Sequence, residues 1–335
     1  MRRTLLLGGT WFLGRAIVEA ALLRGREITI FNRGRSGPDL PNVESVHGDR
    51  TNTDDLQRLA RLGPWDVVID TSASEMAPRQ VLDSSKALAS VVDRYVYVST
   101  VNAYKGWPNE PLSEASPLYP ALPNADRDFG VAEGVTLHYG KQKAGAEAAV
   151  SSVFGSRATI LRPSVILGPG EYVGRLPWWL RRAERGESIL APGRPDKTIQ
   201  PIDVRDVADF ALMDTISGAY NLAAPQGRAT MNDLLTTCVT VTGRRGHLVW
   251  AADEVLTSHG VREWTELPLW RTAAGTWAVD TTRAQAAGLV CRPLTDTVAD
   301  TWAWLCDGDG PVAHPRWADH GIDPVKEAAI LAELD

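Results

Sequence analysis

Short apolar runs alternate with amphipathic stretches along the first half of the chain, and this pattern predicts alternating strands and helices. Runs typical of buried parallel strands occur at residues 4–7, 27–31, 65–70, 94–100 and 157–162. Helices are predicted between them, at residues 15–24, 54–61, 80–92 and 141–153, and a long loop, either functional or mobile, at 105–138. The succession predicts an α/β fold with a doubly wound parallel sheet.

A glycine-rich turn follows the first predicted strand, and a helix ended by Gly25 follows the turn. Strand, glycine turn, helix and strand make up the first unit of a dinucleotide-binding (Rossmann) domain. Backbone N–H groups in such a turn approach a pyrophosphate at the positive end of the helix. We therefore expect the cofactor to contact Gly8, Thr10, Trp11, Phe12, Leu13 and Gly14. The alternative is an ordinary turn whose glycines serve only tight packing.

The residue composition changes after Gly170, because nine of the twelve tryptophans lie from Trp178 to Trp317. Helices are predicted at 176–182, 231–242 (with the N-cap-like Asn232) and 294–305, and short strands returning to the sheet at 198–202 and 218–222. We expect a Rossmann domain at 1–167, with strands returning near 198–223, and a smaller, partly interleaved C-terminal substrate lobe at 168–197 and 224–335. The tryptophans are better explained as its core than as a sugar platform.

Composition and charge narrow the class of protein. The 335 residues carry a net charge of −6, which argues against nucleic acid as the main partner. The three cysteines are widely spaced and the six histidines lack metal-ligand spacing, so we expect no disulfide framework and no metal. Without a signal peptide or a membrane-spanning run, a cytoplasmic protein is expected.

Tyr139 and Lys143 carry the candidate chemistry. They stand four residues apart, which places them on one face of a helix. An ammonium group beside a phenol favours the phenolate and lowers the phenol pKa. The pair could then exchange a proton with an alcohol or a carbonyl group near neutral pH. A surface tyrosine and lysine without a role is the alternative.

The glycine turn and the Tyr139–Lys143 pair together resemble the short-chain dehydrogenase/reductase superfamily. The length and the C-terminal lobe resemble its extended branch, the epimerase/dehydratase-like proteins, as do residues 97–104, 113–118, 161–169, 202–208 and 280–284. The likeness covers nearly the whole chain. It implies that Tyr139 is the general acid/base, that Lys143 also holds the nicotinamide ribose, and that Thr100, beside Ser99, anchors the substrate oxygen.

Two departures from the family pattern bear on function. Trp11 stands where the family usually has the middle glycine of its turn. The turn is similar to the Gly-Gly-Thr-x-Phe-x-Gly turns of an atypical group, some of whose members keep the fold but have other roles, including RNA association in plastids. Val101 and Asn102 replace the acidic pair that follows the catalytic threonine in nucleotide-sugar 4,6-dehydratases, which argues against a dehydratase.

The end of the second predicted strand bears on the choice of cofactor. Asn32 stands where NAD-binding proteins place an acid for the ribose hydroxyls, and Arg33 follows. An arginine without a neighbouring acid favours a 2′-phosphate, so we expect NADP(H), with NAD(H) as the alternative. The alternative for Arg33 is a solvated loop residue. The resemblance adds further cofactor contacts: Asp49, Arg50, Thr71, Ser72, Ser99, Lys143, Pro163 and Val165. For Asp49 the alternative is a turn residue that caps the next helix.

The expected function is that of an NADP(H)-dependent oxidoreductase that reduces a carbonyl or related group of a small molecule. A nucleotide-sugar epimerase with retained NAD(H) is the first alternative, and a non-catalytic dinucleotide- or RNA-binding scaffold is the second. The resemblance allows a homodimer, while no membrane partner is expected.

Overall fold

The computed structural model of the protein describes residues 2–35, 39–73, 76–126, 135–307 and 314–334. Its strands are β1 (Arg3–Leu7), β2 (Glu27–Asn32), β3 (Glu44–His47), β4 (Trp65–Asp70), β5 (Val92–Val98), β6 (Ala158–Pro163), β7 (Ile166–Leu167), β8 (Glu187–Pro192), β9 (Thr198–Ile199), β10 (Ile202–Asp203), β11 (Gly218–Leu222), β12 (Ala229–Thr230) and β13 (Gly246–Ala251).

The α-helices are α1 (Phe12–Leu23), α2 (Thr53–Ala60), α3 (Pro78–Leu88), α4 (Val135–Phe154), α5 (Arg175–Arg185), α6 (Val204–Ala211), α7 (Met231–Val241), α8 (Asp253–Ser258), α9 (Thr282–Ala286), α10 (Leu294–Cys306) and α11 (Pro324–Leu334). None of the helices in the described ranges has the length and apolar content that a membrane crossing requires.

Seven strands form one sheet in the order β11-β6-β5-β4-β1-β2-β3, and all six neighbouring pairs are parallel. The strand order reverses between β1 and β4, which is the point where open α/β sheets bind ligands at the carboxyl ends of their strands. Helices α3 and α4 pack on one face, where Leu5, Val68 and Tyr95 belong to their apolar core. The predicted α/β class and doubly wound parallel sheet are confirmed.

The chain divides into two compact units. The first comprises Met1–Ser164, Arg205–Ala223 and Val279–Val290, and contains the seven-stranded sheet. The second comprises Val165–Val204, Ala224–Ala278 and Cys291–Asp335. This division places Val279–Val290 with the sheet, whereas the sequence placed residues 224–335 together in the lobe.

The second unit is built around one apolar core to which α5, α7, α10 and α11 contribute. All nine tryptophans from Trp178 to Trp317 lie in this core or pack against it, which confirms the prediction that they are core residues. Two short parallel pairs, β8 with β13 and β7 with β10, and the antiparallel pair of β9 with β12 complete the unit.

Several predicted boundaries were wrong for local reasons. The helix predicted at 80–92 is α3, which begins at Pro78, a residue favoured in the first helical turn, and ends before β5. The strand predicted at 198–202 is split at Pro201, which has no N–H to donate; neither piece joins the large sheet. The N-cap of α7 is Thr230, whose hydroxyl accepts a hydrogen bond from the Asp233 N–H, rather than Asn232.

Other elements were missed or shifted. Helix α1 begins at Phe12 instead of residue 15, because Trp11 is extended and serves as its N-cap. Strand β3, in which three of the four residues are polar, was not predicted, and neither were β8 and β13. The loop predicted at 105–138 ends where α4 begins at Val135, and its residues 127–134 lie outside the described part of the chain.

Candidate functional site

The glycine turn joins β1 to α1 in a backbone shape that needs glycine. Gly8 and Gly9 have φ angles of 112° and 106°, which residues with a side chain rarely adopt. A Cβ atom on Gly8 would lie 2.6 Å from the Thr71 hydroxyl oxygen. The turn therefore leaves room at the carboxyl end of β1 that a side chain would fill.

Close packing continues into the first turn of the helix. A Cβ atom on Gly14 would lie 2.7 Å from the Gly9 nitrogen, so the helix start rests directly on the turn. Trp11, the N-cap of α1, provides no side-chain cap, and the first turn of α1 contains no acid. The first turn of α1 therefore contains no carboxylate that would interact with the positive end of the helix dipole, and a bound phosphate could take that place.

Thr71 and Ser72 follow β4 and stand beside this turn. The Thr71 N–H and hydroxyl both donate to the Leu7 carbonyl at 3.1 Å. Ser72 Cβ would lie 3.4 Å from a Cβ atom on Gly8. The structure thus brings the predicted contacts Gly8, Thr71 and Ser72 together at the reversal of strand order.

The predicted ribose and 2′-phosphate contacts also converge. Asn32 ends β2, its carbonyl accepts a hydrogen bond from Gly48 N–H at 2.9 Å, and Asp49 follows that glycine. Hydrogen bonds from Thr51 hold the pKa of Asp49 below its usual value, and the positive charges of Arg33 and Arg35 lower it further. Arg33 is exposed, so its guanidinium is accessible at this edge.

Arg50, also predicted to contact the cofactor, has a buried side chain. Its guanidinium donates to both carboxylate oxygens of Asp70, at 2.7 and 2.9 Å. It also donates to the hydroxyls of Ser72 and Ser84, at 2.8 and 2.7 Å. These bonds engage both terminal nitrogens inside the protein, and a cofactor contact of Arg50 stays a prediction.

Helix α4 carries Tyr139, Lys143 and Glu147 one turn apart, so the three lie along one face. Gly140 lets α4 pack closely against Asn102, because a Cβ atom at residue 140 would collide with the Asn102 carbonyl oxygen. Asn102 lies in the single 3₁₀ turn that follows Thr100. The glycine therefore brings the helix start, with half-buried Tyr139, against the turn that follows Thr100.

Lys143 is buried, with 4% of its surface exposed. Its ammonium donates to the Val98 carbonyl at 2.9 Å and to the Tyr97 hydroxyl at 3.3 Å. The ammonium also lies 4.9 Å from the centroid of the Tyr97 ring. Burial lowers the pKa of Lys143 to about 8, against the opposing charges of Asp70 and Glu147.

Thr100 and Ser99 differ in what their hydroxyls can do. Thr100 Oγ1 accepts hydrogen bonds from the Asn102 N–H and side-chain amide, at 3.2 and 3.0 Å, and keeps its own proton for donation. Ser99 is buried and its hydroxyl is hydrogen-bonded to Glu147. Thr100 thus retains the donor that a substrate anchor needs, while Ser99 takes part in an interior network.

The hydrogen-bond network around Glu147 connects α4 to β6, to Tyr104 and to β11. Arg162 in β6 donates to both Glu147 oxygens through Nε at 3.0 and 3.1 Å, and through a terminal nitrogen at 2.6 Å. Arg162 also donates to the Tyr104 hydroxyl at 2.8 Å, which in turn donates to Asn221 at 2.7 Å. The network fixes the helix that carries Tyr139.

Pro163 and Val165 fall in different units. Pro163 ends β6 and is paired with Leu222. Val165 is buried in the apolar core of the second unit, and its carbonyl accepts a hydrogen bond from Ile202 N–H at 2.9 Å. Their cofactor contacts stay predictions.

The second unit contains a cluster of cationic groups around Trp264. The guanidinium carbons of Arg175 and Arg271 lie 5.3 and 4.6 Å from a Trp264 ring centroid. Burial lowers the pKa of both arginines, and their mutual repulsion, with that of Arg316, lowers the pKa of Arg175 further. Partly compensated cations in a buried place are stabilised when an anion binds.

His320 belongs to the same cluster. Both of its ring nitrogens are buried and have no hydrogen-bond partner among the described residues. Burial, with the nearby charge of Arg175, lowers the His320 pKa to about 4. Glu171, whose pKa burial raises to about 7, accepts hydrogen bonds from the N–H groups of Arg175 and Leu176.

Tyr97, Glu147 and Gly140 were not singled out from the sequence. The recurrence of 139, 143 and 147 along one helix face was a signal for Glu147. A glycine inside a predicted helix, next to the candidate tyrosine, was a signal for close approach. Tyr97 gave no signal, because an aromatic residue in an apolar strand is ordinary. Among the described residues, no group of three His, Cys, Asp or Glu side chains is placed to hold a metal.

Known structures resemble this chain over most of its length. The enzyme WbmH of Bordetella bronchiseptica, solved with NAD+, is 18% identical with a TM-score of 0.68, covering 92% of this chain and 99% of that one. The UDP-glucose 4-epimerase of Thermotoga maritima, solved with UDP-glucose, is 18% identical with a TM-score of 0.66, covering 90% and 98%. At this identity the likeness shows the shared fold.

A curated relative and a family model also match the sequence. This chain is 25% identical, over 221 residues, to the chloroplast stem-loop binding protein of 41 kDa b of Arabidopsis thaliana. The match covers 62% of this chain and 53% of that protein, so this chain spans about half the length of the relative. Residues 4–216 match the family model for NAD dependent epimerases and dehydratases. The chain therefore belongs to the NAD dependent epimerase/dehydratase family.

Proposed function

We propose that this protein is an oxidoreductase that uses a nicotinamide dinucleotide, with Tyr139 as the general acid/base. The observation that carries the proposal is the alignment of Tyr139 and Lys143 on α4, which Gly140 sets against the turn after Thr100. When bound, the cofactor supplies the hydride acceptor or donor. The glycine turn, with no side chain at Gly8 and Gly9, fits its pyrophosphate.

The protein's own residues handle the proton. Thr100 donates a hydrogen bond to the substrate oxygen, and Tyr139 gives that oxygen a proton in reduction or takes it in oxidation. The Lys143 ammonium favours the phenolate of Tyr139. This role requires the protonated lysine, which predominates below its pKa of about 8.

We favour NADP(H) and reduction of a carbonyl or related group. Exposed Arg33 and Arg35, beside Asn32 instead of an acid, support recognition of a 2′-phosphate. Titration of the protein with NADPH and NADH, followed by tryptophan fluorescence, tests this choice. We expect Arg33→Ala to weaken NADPH binding roughly tenfold, since one charge-assisted phosphate contact is lost. The matched control is Arg61→Ala, an exposed arginine after α2. Equal NADPH affinity in wild type and Arg33→Ala would contradict the choice of NADP(H).

An epimerase that retains NAD(H) and acts on a nucleotide sugar is the second candidate. The buried cations Arg175 and Arg271 in the second unit, with neutral His320 near Arg175, support it, because a nucleotide diphosphate would supply the anion. Such an enzyme should purify with NAD(H) bound and convert a UDP-sugar without added cofactor. Free exchange of NADPH and no UDP-sugar conversion would favour the reductase.

Turnover tests the shared mechanism. In whichever assay the wild type is active, we expect Tyr139→Phe to lower kcat about 100-fold or more while cofactor affinity is kept. Lys143→Ala should also lower kcat, whereas Lys141→Ala on the same helix should leave it unchanged. Full turnover in Tyr139→Phe would refute the mechanism. Binding of RNA stem-loops with no cofactor binding would favour the scaffold instead, as the name of the Arabidopsis relative suggests.

A further inference from the structure

The ammonium of Lys143 contacts both the hydroxyl and the ring of Tyr97. The hydroxyl of this tyrosine accepts a hydrogen bond at 3.3 Å, and its ring centroid lies 4.9 Å from the same nitrogen. The other contact is the Val98 carbonyl at 2.9 Å. No carboxylate among the described residues forms an ion pair with Lys143, so a fully buried ammonium depends on a hydroxyl, a carbonyl and an aromatic face.

Tyr97 is placed by the register of the sheet. It lies directly opposite Asp70 in the parallel pair of β5 and β4, and neither residue is exposed. Asp70 accepts two hydrogen bonds from Arg50 and one from the Tyr95 hydroxyl at 2.8 Å. Burial raises the pKa of Tyr97 well above its usual value, so its hydroxyl keeps its proton and acts as a hydrogen-bond acceptor for the lysine.

The charges that act on Lys143 come from three elements. Asp70 at the end of β4 and Glu147 on α4 favour the protonated amine, while Arg50 after β3 disfavours it. Each of these carboxylates already has an arginine partner, since Arg162 binds Glu147 and Arg50 binds Asp70. Tyr139, on the same helix as the lysine, also lies within electrostatic reach of Tyr97.

We propose that Tyr97 is a positioning residue for the candidate active site: its hydroxyl and ring hold the ammonium of Lys143 in place. The inference deepens the proposed function and rests on it, since it assigns the device that keeps Lys143 able to assist Tyr139.

The contact has a measurable consequence that does not require a substrate. The chain has six lysines, so ¹³Cε-lysine NMR gives few signals, and the Lys143 signal is the one missing from Lys143→Met. In the full-length wild type we expect that signal to titrate near pH 8. In Tyr97→Phe, loss of a hydrogen bond to the charged form should move the midpoint down by about one pH unit.

Tyr95→Phe is the matched control. It removes the same hydroxyl from a buried tyrosine two residues away on β5, but Tyr95 bonds to Asp70 and not to Lys143. The midpoint should stay near pH 8 in this variant. An unchanged midpoint in Tyr97→Phe, an equal shift in both variants, or titration of the wild-type signal at the ordinary lysine value would overturn the proposal.

The pH dependence of kcat separates the two levels of inference. If Lys143 assists Tyr139, kcat falls above about pH 8, and this alkaline limb moves down with the NMR midpoint in Tyr97→Phe. An NMR midpoint that moves while the alkaline limb stays in place would confirm the contact between Tyr97 and Lys143 and overturn the proposed use of the lysine in catalysis.

Discussion

Asp70 and Arg50 form a buried ion pair in the interior of the first unit. Asp70 has no exposed surface, yet Arg50, Tyr95 and the Ser72 N–H all donate to it. Removing both charges from water is expensive, so the pair need not stabilise the fold relative to apolar residues. Loss of one partner, however, leaves the other charge buried and uncompensated. The two residues therefore depend on each other strongly.

We expect Asp70→Asn to lower the free energy of unfolding by about 3–5 kcal/mol, because the Arg50 charge remains buried. The exposed pair of Arg194 and Asp196, also doubly hydrogen-bonded, provides the comparison. There Asp196→Asn should cost less than about 1 kcal/mol. Urea unfolding of the three proteins measures both values. Similar losses in the two variants would contradict the buried character of the Asp70 pair.

Individual residues were the hardest level to predict. The cofactor contact suggested for Arg50 stays a prediction, but the sequence did not reveal its charge partner Asp70, which stands 20 residues later at the end of β4. No local sequence pattern predicts such an ion pair, because the two residues come together only when the sheet forms. Tyr139, Lys143 and Thr100 could be proposed because their spacings are local, and the structure gathers the first two on α4 beside the turn that follows the third.

At the level of elements, the apolar runs predicted the central strands well, because buried parallel strands are continuous in hydrophobicity. Strand β3 escaped prediction because all four of its residues are exposed or only half-buried, so it has no apolar run. Short strands in the second unit form single pairs, whose position depends on tertiary packing. The register that sets Asp70 opposite Tyr97 is likewise a product of assembly.

The junction of the glycine turn and α1 offers a test at this level. We expect Gly14→Ala to weaken binding of NADPH or NADH about tenfold or more, because the new Cβ atom forces the helix start away from Gly9. Gly25→Ala, at the other end of the helix, meets no neighbouring atom and should cost about 1 kcal/mol of stability through its positive φ angle alone. Cofactor titration and urea unfolding distinguish the two effects; intact affinity in Gly14→Ala would refute the close-packing role.

For the molecule as a whole, buried titratable groups of the second unit predict opposing effects of acid. His320 keeps its neutral form down to about pH 4, so the unfolded chain binds its proton first and stability falls as the pH drops below 6.5. Glu171 binds a proton already near pH 7 in the folded state, so its contribution to stability rises as the pH falls from 7 to its ordinary value of 4.5.

Unfolding free energies at pH 7 and pH 4.5 separate the two groups. We expect His320→Phe to lose less stability on acidification than the wild type, and Glu171→Gln to lose more. His247→Phe, which replaces an exposed histidine, should follow the wild type. If all three variants respond to acid as the wild type does, the buried states assigned to His320 and Glu171 are wrong.

The division of the chain has a consequence for synthesis on the ribosome. The chain passes between the two units five times, at Ser164, Val204, Ala223, Ala278 and Val290. A nascent chain that ends at Ser164 holds six of the seven sheet strands, with one side of β6 unpaired until β11 emerges. Open edges of this kind recruit other strands. Chaperone demand should therefore peak while residues 165–217 are being translated, because these residues, which mostly belong to the second unit, delay the closing strand.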